Sequence, residues 1–151
     1  IIVVNKWDLV EKEKNTMEKY KKEVYNKLAY LSYAPIIFIS TVTGQRVDKL
    51  FDMINEVDKQ NSQRIPTGLL NDVLAEATTI TQPPSDKGRR LKVYYMTQVS
   101  TRPPTFVIFV NSKELMHFSY VRYIENHLRK QFGFKGTPIH MIIRERKKGE
   151  E

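Results

Sequence analysis

The stretch Ile1-Ile2-Val3-Val4-Asn5-Lys6-Trp7-Asp8 decides how the chain is read. Four successive apolar, β-branched residues specify a strand covered on both faces, and a polar tetrapeptide follows at its carboxyl end. Ligands of α/β folds bind at that edge of the sheet, so the tetrapeptide is placed for recognition. A chain that opens inside a strand, without Met or a polar lead-in, is expected to be a piece of a longer protein.

Outward from this strand, Asn15-Thr16-Met17-Glu18 offers Asn15 as a helix cap with Glu18 reaching back to it. Met17, Tyr20, Val24, Leu28 and Leu31 then line one helical face. Pro35 leads into a second apolar strand over 36–39, and Val47, Leu50, Phe51, Ile54 and Val57 recur at helical spacing up to about Lys59. The order β-α-β-α with continuous apolar strands predicts a parallel α/β sheet covered on both faces.

The polar run Lys59-Gln60-Asn61-Ser62-Gln63-Arg64 has no apolar periodicity and marks a boundary, dividing the chain into domains 1–60 and 61–151. Beyond it, Thr67 is the expected cap of a helix with Leu70, Val73, Leu74 and Ala77 on its apolar face. A loop over 82–88 follows. A strand is then predicted in which Leu91, Val93, Tyr95, Thr97 and Val99 share one face and Lys92, Tyr94, Met96 and Gln98 the other. Arg102-Pro103-Pro104 turns into a strand over 106–110. A helical turn near 113–116, a helix from about Ser119 ending at Gly133, and a strand over 139–143 complete an α-β-β-α-β unit of two-layer α+β type.

The chain of 151 residues carries 25 Lys+Arg and 17 Asp+Glu, a net charge of +8, with 40% hydrophobic residues and no cysteine. That balance excludes wholesale disorder, disulfides and thiolate metal sites. No apolar run reaches the roughly 18 residues of a membrane span. Lack of cysteine fits a reducing compartment, and the cytoplasm is the expected location. Residues 1–60 account for net +1 and the remainder for +7, so the second domain is the expected partner of a polyanion.

Asn5-Lys6-Trp7-Asp8 has the N-K-x-D pattern. A guanine base presents N1–H and an exocyclic NH₂ on one edge, and a fixed carboxylate such as Asp8 accepts both. Lys6 then lays its stem over the ring while Asn5 ties loops together. The backbone N–H groups of Ser40-Thr41-Val42, at the end of the second strand, are placed to meet guanine O6. Adenine offers the wrong polarity. A polar turn leading a helix is the plain structural alternative for the same residues.

These two motifs, with Phe38-Ile39-Ser40-Thr41-Val42-Thr43-Gly44-Gln45-Arg46-Val47, resemble the guanine-specificity end of a translation-factor-type GTPase domain. The segments 99–111, 114–120 and 132–139 resemble the C-terminal KH-like domain of the Der (EngA) family. The resemblance covers essentially the whole chain, departing at Thr41, where the family usually has Ala. It implies the end of the second of two tandem P-loop-type G domains followed by a KH-like domain. It also implies GTP or GDP with Mg²⁺ in the intact parent, a role in maturing the large (50S) ribosomal subunit, and ribosomal RNA and the upstream G domains as partners.

The glycines include no G-x-x-x-x-G-K spacing, and no D-x-x-G is present, so this chain by itself is expected to hydrolyse no GTP and to hold no cofactor. Standard KH modules clamp nucleic acid with a G-x-x-G loop between two helices. Gly133-Phe134-Lys135-Gly136 matches literally but falls between a helix and a strand, and reads as a helix cap. The helix junction His117-Phe118-Ser119 lacks glycine, which disfavours the related Era-type reading. Arg89, Arg90, Lys92, Arg102, Arg144, Arg146, Lys147 and Lys148 remain as candidate phosphate contacts, with a solvated solubilising face as the alternative. Tyr94, Tyr95, Phe106 and Phe109 are candidates for base stacking, or else core. The competing functional reading is a free-standing KH-like RNA-binding adaptor in which the N-K-x-D match is incidental.

Overall fold

The computed structural model describes residues 1–146; the expected basic contacts Lys147 and Lys148 lie outside the described residues. The architecture is mixed α/β, in two compact units. One comprises Ile1–Gln60 with Lys135–Thr137, the other Asn61–Phe134 with the described residues from Pro138 onward.

In the first unit, β1 (Ile2–Val4) pairs in parallel with β2 (Ile36–Phe38), Val3 lying opposite Ile37. The helix α1 (Thr16–Lys27) connects them and α2 (Val47–Asn61) follows. Parallel pairing demands such a crossover. The predicted order is present, but the cover on both faces is not complete. Val3 is exposed, as are Phe51 and Ile54 of the expected α2 face, because a sheet two strands wide shields only a narrow stripe. The cap of α1 also differs. Asn15 sits in the left-handed region at φ 65° and makes no capping bond. Thr16 takes over: its hydroxyl accepts from the Glu13 N–H at 2.7 Å and donates to the Glu13 carbonyl at 2.9 Å. In the 135–137 segment of this unit, Lys135 Nζ stands 3.7 Å from Glu56 Oε1, and a Cβ on Gly136 (φ +75°) would fall 2.6 Å from Val57 Cγ2.

In the second unit, α3 (Thr67–Ile80) and α4 (Phe118–Phe132) cover a three-stranded sheet of β5 (Val93–Ser100), β6 (Thr105–Val110) and β7 (His140–Glu145). Before it comes a minimal hairpin, β3 (Ser85–Asp86) and β4 (Arg89–Arg90), where a plain loop was expected. The hairpin turns at Lys87-Gly88, both at positive φ, as a two-residue primed turn requires. The sheet order is β5-β6-β7, with β5–β6 antiparallel and β6–β7 parallel. Leu70, Leu74, Met96, Phe106, Ile108, Val110, Ile124 and Leu128 are buried at its centre. Leu70, Val73, Leu74 and Ala77 of α3 are all buried, as their spacing predicts. Thr67, however, is the first helical residue, and Pro66 occupies the cap position without a side-chain bond.

The predicted alternation of β5 fails part-way. Val93 faces Val110 and Tyr95 faces Phe109, so Tyr94 is an extra residue on β5. That bulge reverses the phase: Met96 and Gln98 are buried while Tyr95 and Val99 are exposed. Amide side chains then tie β5 and the residues leading into it to their surroundings. Asn71 accepts from the Met96 N–H and donates to the Met96 carbonyl, both at 2.9 Å. Gln98 accepts from the Ile65 N–H at 2.8 Å and donates to the Gln63 carbonyl at 2.9 Å. Asn111 accepts from the Lys92 N–H and donates to the Arg90 carbonyl. Among the described residues, no helix is long and apolar enough to cross a membrane, and no cluster of His, Asp and Glu is arranged to hold a metal.

Candidate functional site

The β1–β2 pairing runs on beyond the strands: the Ile39 N–H donates to the Val4 carbonyl at 2.8 Å and the Trp7 N–H to the Ile39 carbonyl at 3.0 Å. Residues 5–8 and 40–42 therefore emerge side by side at the carboxyl edge. Trp7 is the anchor. Its indole is buried 4.7 Å from the Phe38 ring and 5.5 Å from Tyr20, while Asn5, Lys6 and Asp8 on either side are exposed. Lys6 takes the left-handed conformation at φ 60°, which lets a short turn place its neighbours on opposite sides of the chain.

Asn5 bridges the two loops. Its Oδ1 accepts from the Lys6 N–H at 2.7 Å and the Thr41 N–H at 3.2 Å, and its Nδ2 donates to Thr41 Oγ1 at 3.3 Å. Ser40, fully buried, donates from Oγ to Asp8 Oδ1 at 2.6 Å, and the same Oγ accepts from the Thr43 N–H at 3.2 Å. A short bond to one carboxylate oxygen fixes the carboxylate plane and leaves Oδ2 and the second lone pair of Oδ1 for two further donors. Sequence reasoning assigned Ser40 only a backbone role and missed this hydroxyl. The signal available was a Ser ending a strand that runs parallel to the one preceding Asp8.

The three backbone donors divide. Ser40 N–H is taken by the Gln45 carbonyl at 3.2 Å and Thr41 N–H by Asn5, whereas Val42, 83% exposed, has an N–H with no acceptor among the described residues. The loop is closed by the left-handed residues Gly44 and Arg46, and Arg46 Nη1 donates back to the Phe38 carbonyl at 3.0 Å.

The described basic candidates belong to the second unit, and the strand register sorts them. Arg89 and Arg90 lie on β4, Lys92 just before β5, and Arg144 and Arg146 at the end of β7, where Phe109 and Val110 close β6. These five gather at one end of the sheet. Arg102, in the β5–β6 turn, lies at the other end and donates from Nε to Ser62 Oγ at 2.9 Å. Arg89 is partly engaged, with Nη1 3.7 Å from Glu114 Oε2, and Arg90 donates to Gln82 Oε1. Lys92 and Arg144 have no side-chain partner among the described residues. Of the aromatic candidates, Phe106 is core, whereas Tyr94 and Tyr95 are exposed. The G-x-x-G segment is not an open loop between helices: it follows α4, with Gly133 ending the helix and Phe134 fully buried 5.9 Å from the Phe106 ring.

Residues 64–144 match the family model described as KH-domain-like of EngA bacterial GTPase enzymes, C-terminal. This chain belongs to that family. GTPase Der of Acetivibrio thermocellus is 61% identical over 148 residues, 98% of this chain and 34% of the relative. GTPase Der of Alkaliphilus oremlandii is 58% identical over 146 residues, 97% of this chain and 33% of the relative. The chain thus spans about a third of the length of the curated relatives it matches. A crystal structure of Aquifex aeolicus Era aligns with 96% of this chain and 54% of its own at 17% identity, with a TM-score of 0.31, too loose a superposition to carry an argument.

Proposed function

We propose that the first unit recognises the guanine base of GTP or GDP within a larger Der-type GTPase, and that the second docks on ribosomal RNA during maturation of the 50S subunit in the cytoplasm. The observation that carries the nucleotide half is Asp8, exposed at the carboxyl edge of a parallel pair and held by the buried Ser40 hydroxyl at 2.6 Å. One carboxylate so fixed accepts both the N1–H and the NH₂ of guanine, Lys6 flanks the ring, and the Val42 N–H is the donor left for O6. The family match and the relatives named GTPase Der support the same reading.

The residues here fit the base and nothing beyond it. The chain has no phosphate-cradling loop and no D-x-x-G, so phosphates and Mg²⁺ belong to other parts of the parent, and no hydrolytic step is assigned to these side chains. The test is Asp8→Asn in the full-length parent, titrated with labelled GDP and XDP. An amide cannot accept from both guanine donors, so GDP binding should weaken by about 2 to 4 kcal/mol, with XDP relatively favoured. An unchanged preference would remove Asp8 from the site. The 151-residue chain alone should bind neither nucleotide measurably, because phosphate contacts supply much of the holding energy. A micromolar constant for it would overturn that division of labour.

A further inference from the structure

The bulge in β5 has a chemical product. Val93 and Met96 both turn toward the core although three positions apart, so Tyr94 and Tyr95 between them point to the opposite face, side by side. They are 45% and 37% exposed. On the neighbouring strand Phe109 faces Tyr95, and the rings stack with centroids 4.4 Å apart and planes 16° apart. The next residue in this row is Arg144, opposite Phe109 on β7, and Lys92 precedes the tyrosines on β5; both are exposed. The strand residues and Lys92 on this face include no carboxylate, from either edge strand or from β6.

We propose that this patch takes one unpaired base of a folded RNA, stacked on the open side of Tyr95, with Arg144 and Lys92 on the flanking phosphates. The proposal rests on the RNA half of the function above and specifies its contact. Tyr95 lies on an edge strand, so one side of its ring is backed by Phe109 and, among the described residues, no further strand stands on the other. A base continues an existing pair of parallel rings there. Stacking of this kind tolerates every base, which agrees with a domain that has no base-reading clamp. An apolar protein partner would gain from the rings but leave two cations without counter-charges; a nucleotide uses both features.

The experiment uses the 151-residue chain and two labelled RNA hairpins, identical except for one bulged nucleotide, in anisotropy titrations. The bulged hairpin should bind about tenfold more tightly. Tyr95→Leu, which keeps apolar bulk but removes the π-face, should abolish that difference, and Tyr95→Phe should restore it. Circular dichroism melts verify folding of each variant. A bulged 4-thiouridine should crosslink to the peptide containing Tyr94 and Tyr95, a readout independent of affinity. Equal binding of the two hairpins by the unmutated chain, or a bulge preference that survives Tyr95→Leu, overturns the stacking site while RNA binding itself stands. Absence of binding to either hairpin at low salt removes both the stacking site and the RNA reading; self-association of the chain lost in Tyr95→Leu would then assign the rings to a second copy.

Discussion

The hydroxyl of Ser40 and the carboxylate of Asp8, 32 positions apart, meet at 2.6 Å, so the acid we propose for guanine recognition, in one loop, is oriented by the strand end of another. Ser40→Ala leaves Asp8 exposed but free to rotate. In the full-length parent GDP affinity should fall about five- to tenfold, corresponding to the ~1 to 1.5 kcal/mol of one net hydrogen bond. The loss should be smaller than that of Asp8→Asn in the same titration. An equal or greater loss would give Ser40 a direct contact with the base.

The G-x-x-G segment should behave as packing. Phe134 is fully buried against Phe106, so Phe134→Ala should cost about 3 to 5 kcal/mol in denaturant unfolding. Lys135→Ala, exposed and at a long 3.7 Å from Glu56, should change stability by under about 1 kcal/mol and RNA affinity no more than any single surface cation. Loss of sequence-selective RNA binding in Lys135→Ala would instead reveal a working clamp.

Binding of structured RNA should weaken steeply with salt. Five described cations gather at one sheet end, and contact with about three to five phosphates gives log K a slope of about −2 to −4 against log salt. Replacing Arg89, Arg90 and Lys92 together by Ala should lower that slope by up to about 2, and Arg102→Ala, at the other end of the sheet, should leave it unaltered. Filter binding across a salt series checks both.

These expectations show which parts of the molecule were legible in the sequence. Helical faces buried by several neighbours, such as Leu70-Val73-Leu74-Ala77, follow from their spacing because burial enforces it. The phase of β5 does not, since one inserted residue reverses every later side chain, and Val99 looks as apolar as Met96 until the partner strand is known. Caps were equally opaque. Asn15 and Thr16 are both good cap residues, and only the chain direction before the helix decides that Thr16 bonds to Glu13 while Asn15 turns left-handed. In the site, Asn5 and Asp8 stood out by motif, while the Ser40 hydroxyl depended on two strands distant in sequence.

Alkaline titration offers a check on the core of the second unit. Burial, with Tyr123 nearby, pushes the Tyr120 phenol up to about 12, and its hydroxyl donates to the Thr81 carbonyl at 2.8 Å. The folded state then keeps a proton that the unfolded chain loses near pH 10. Stability is full below pH 10 and declines as pH rises from 10 through about 12. Tyr120→Phe should cost about 1 kcal/mol at pH 7 and flatten that decline, as measured by urea melts from pH 8 to 11.5.

The middle position of β6 has a consequence during synthesis. Its hydrogen-bonding edge toward β7 stays open while the roughly 30 residues between Val110 and His140 are added, some two to six seconds at ordinary ribosome speeds. During that interval an apolar strand with an unsatisfied edge is a template for pairing with another nascent chain. Folding of this unit is thus a race against misassociation that ends only when His140–Glu145 emerges.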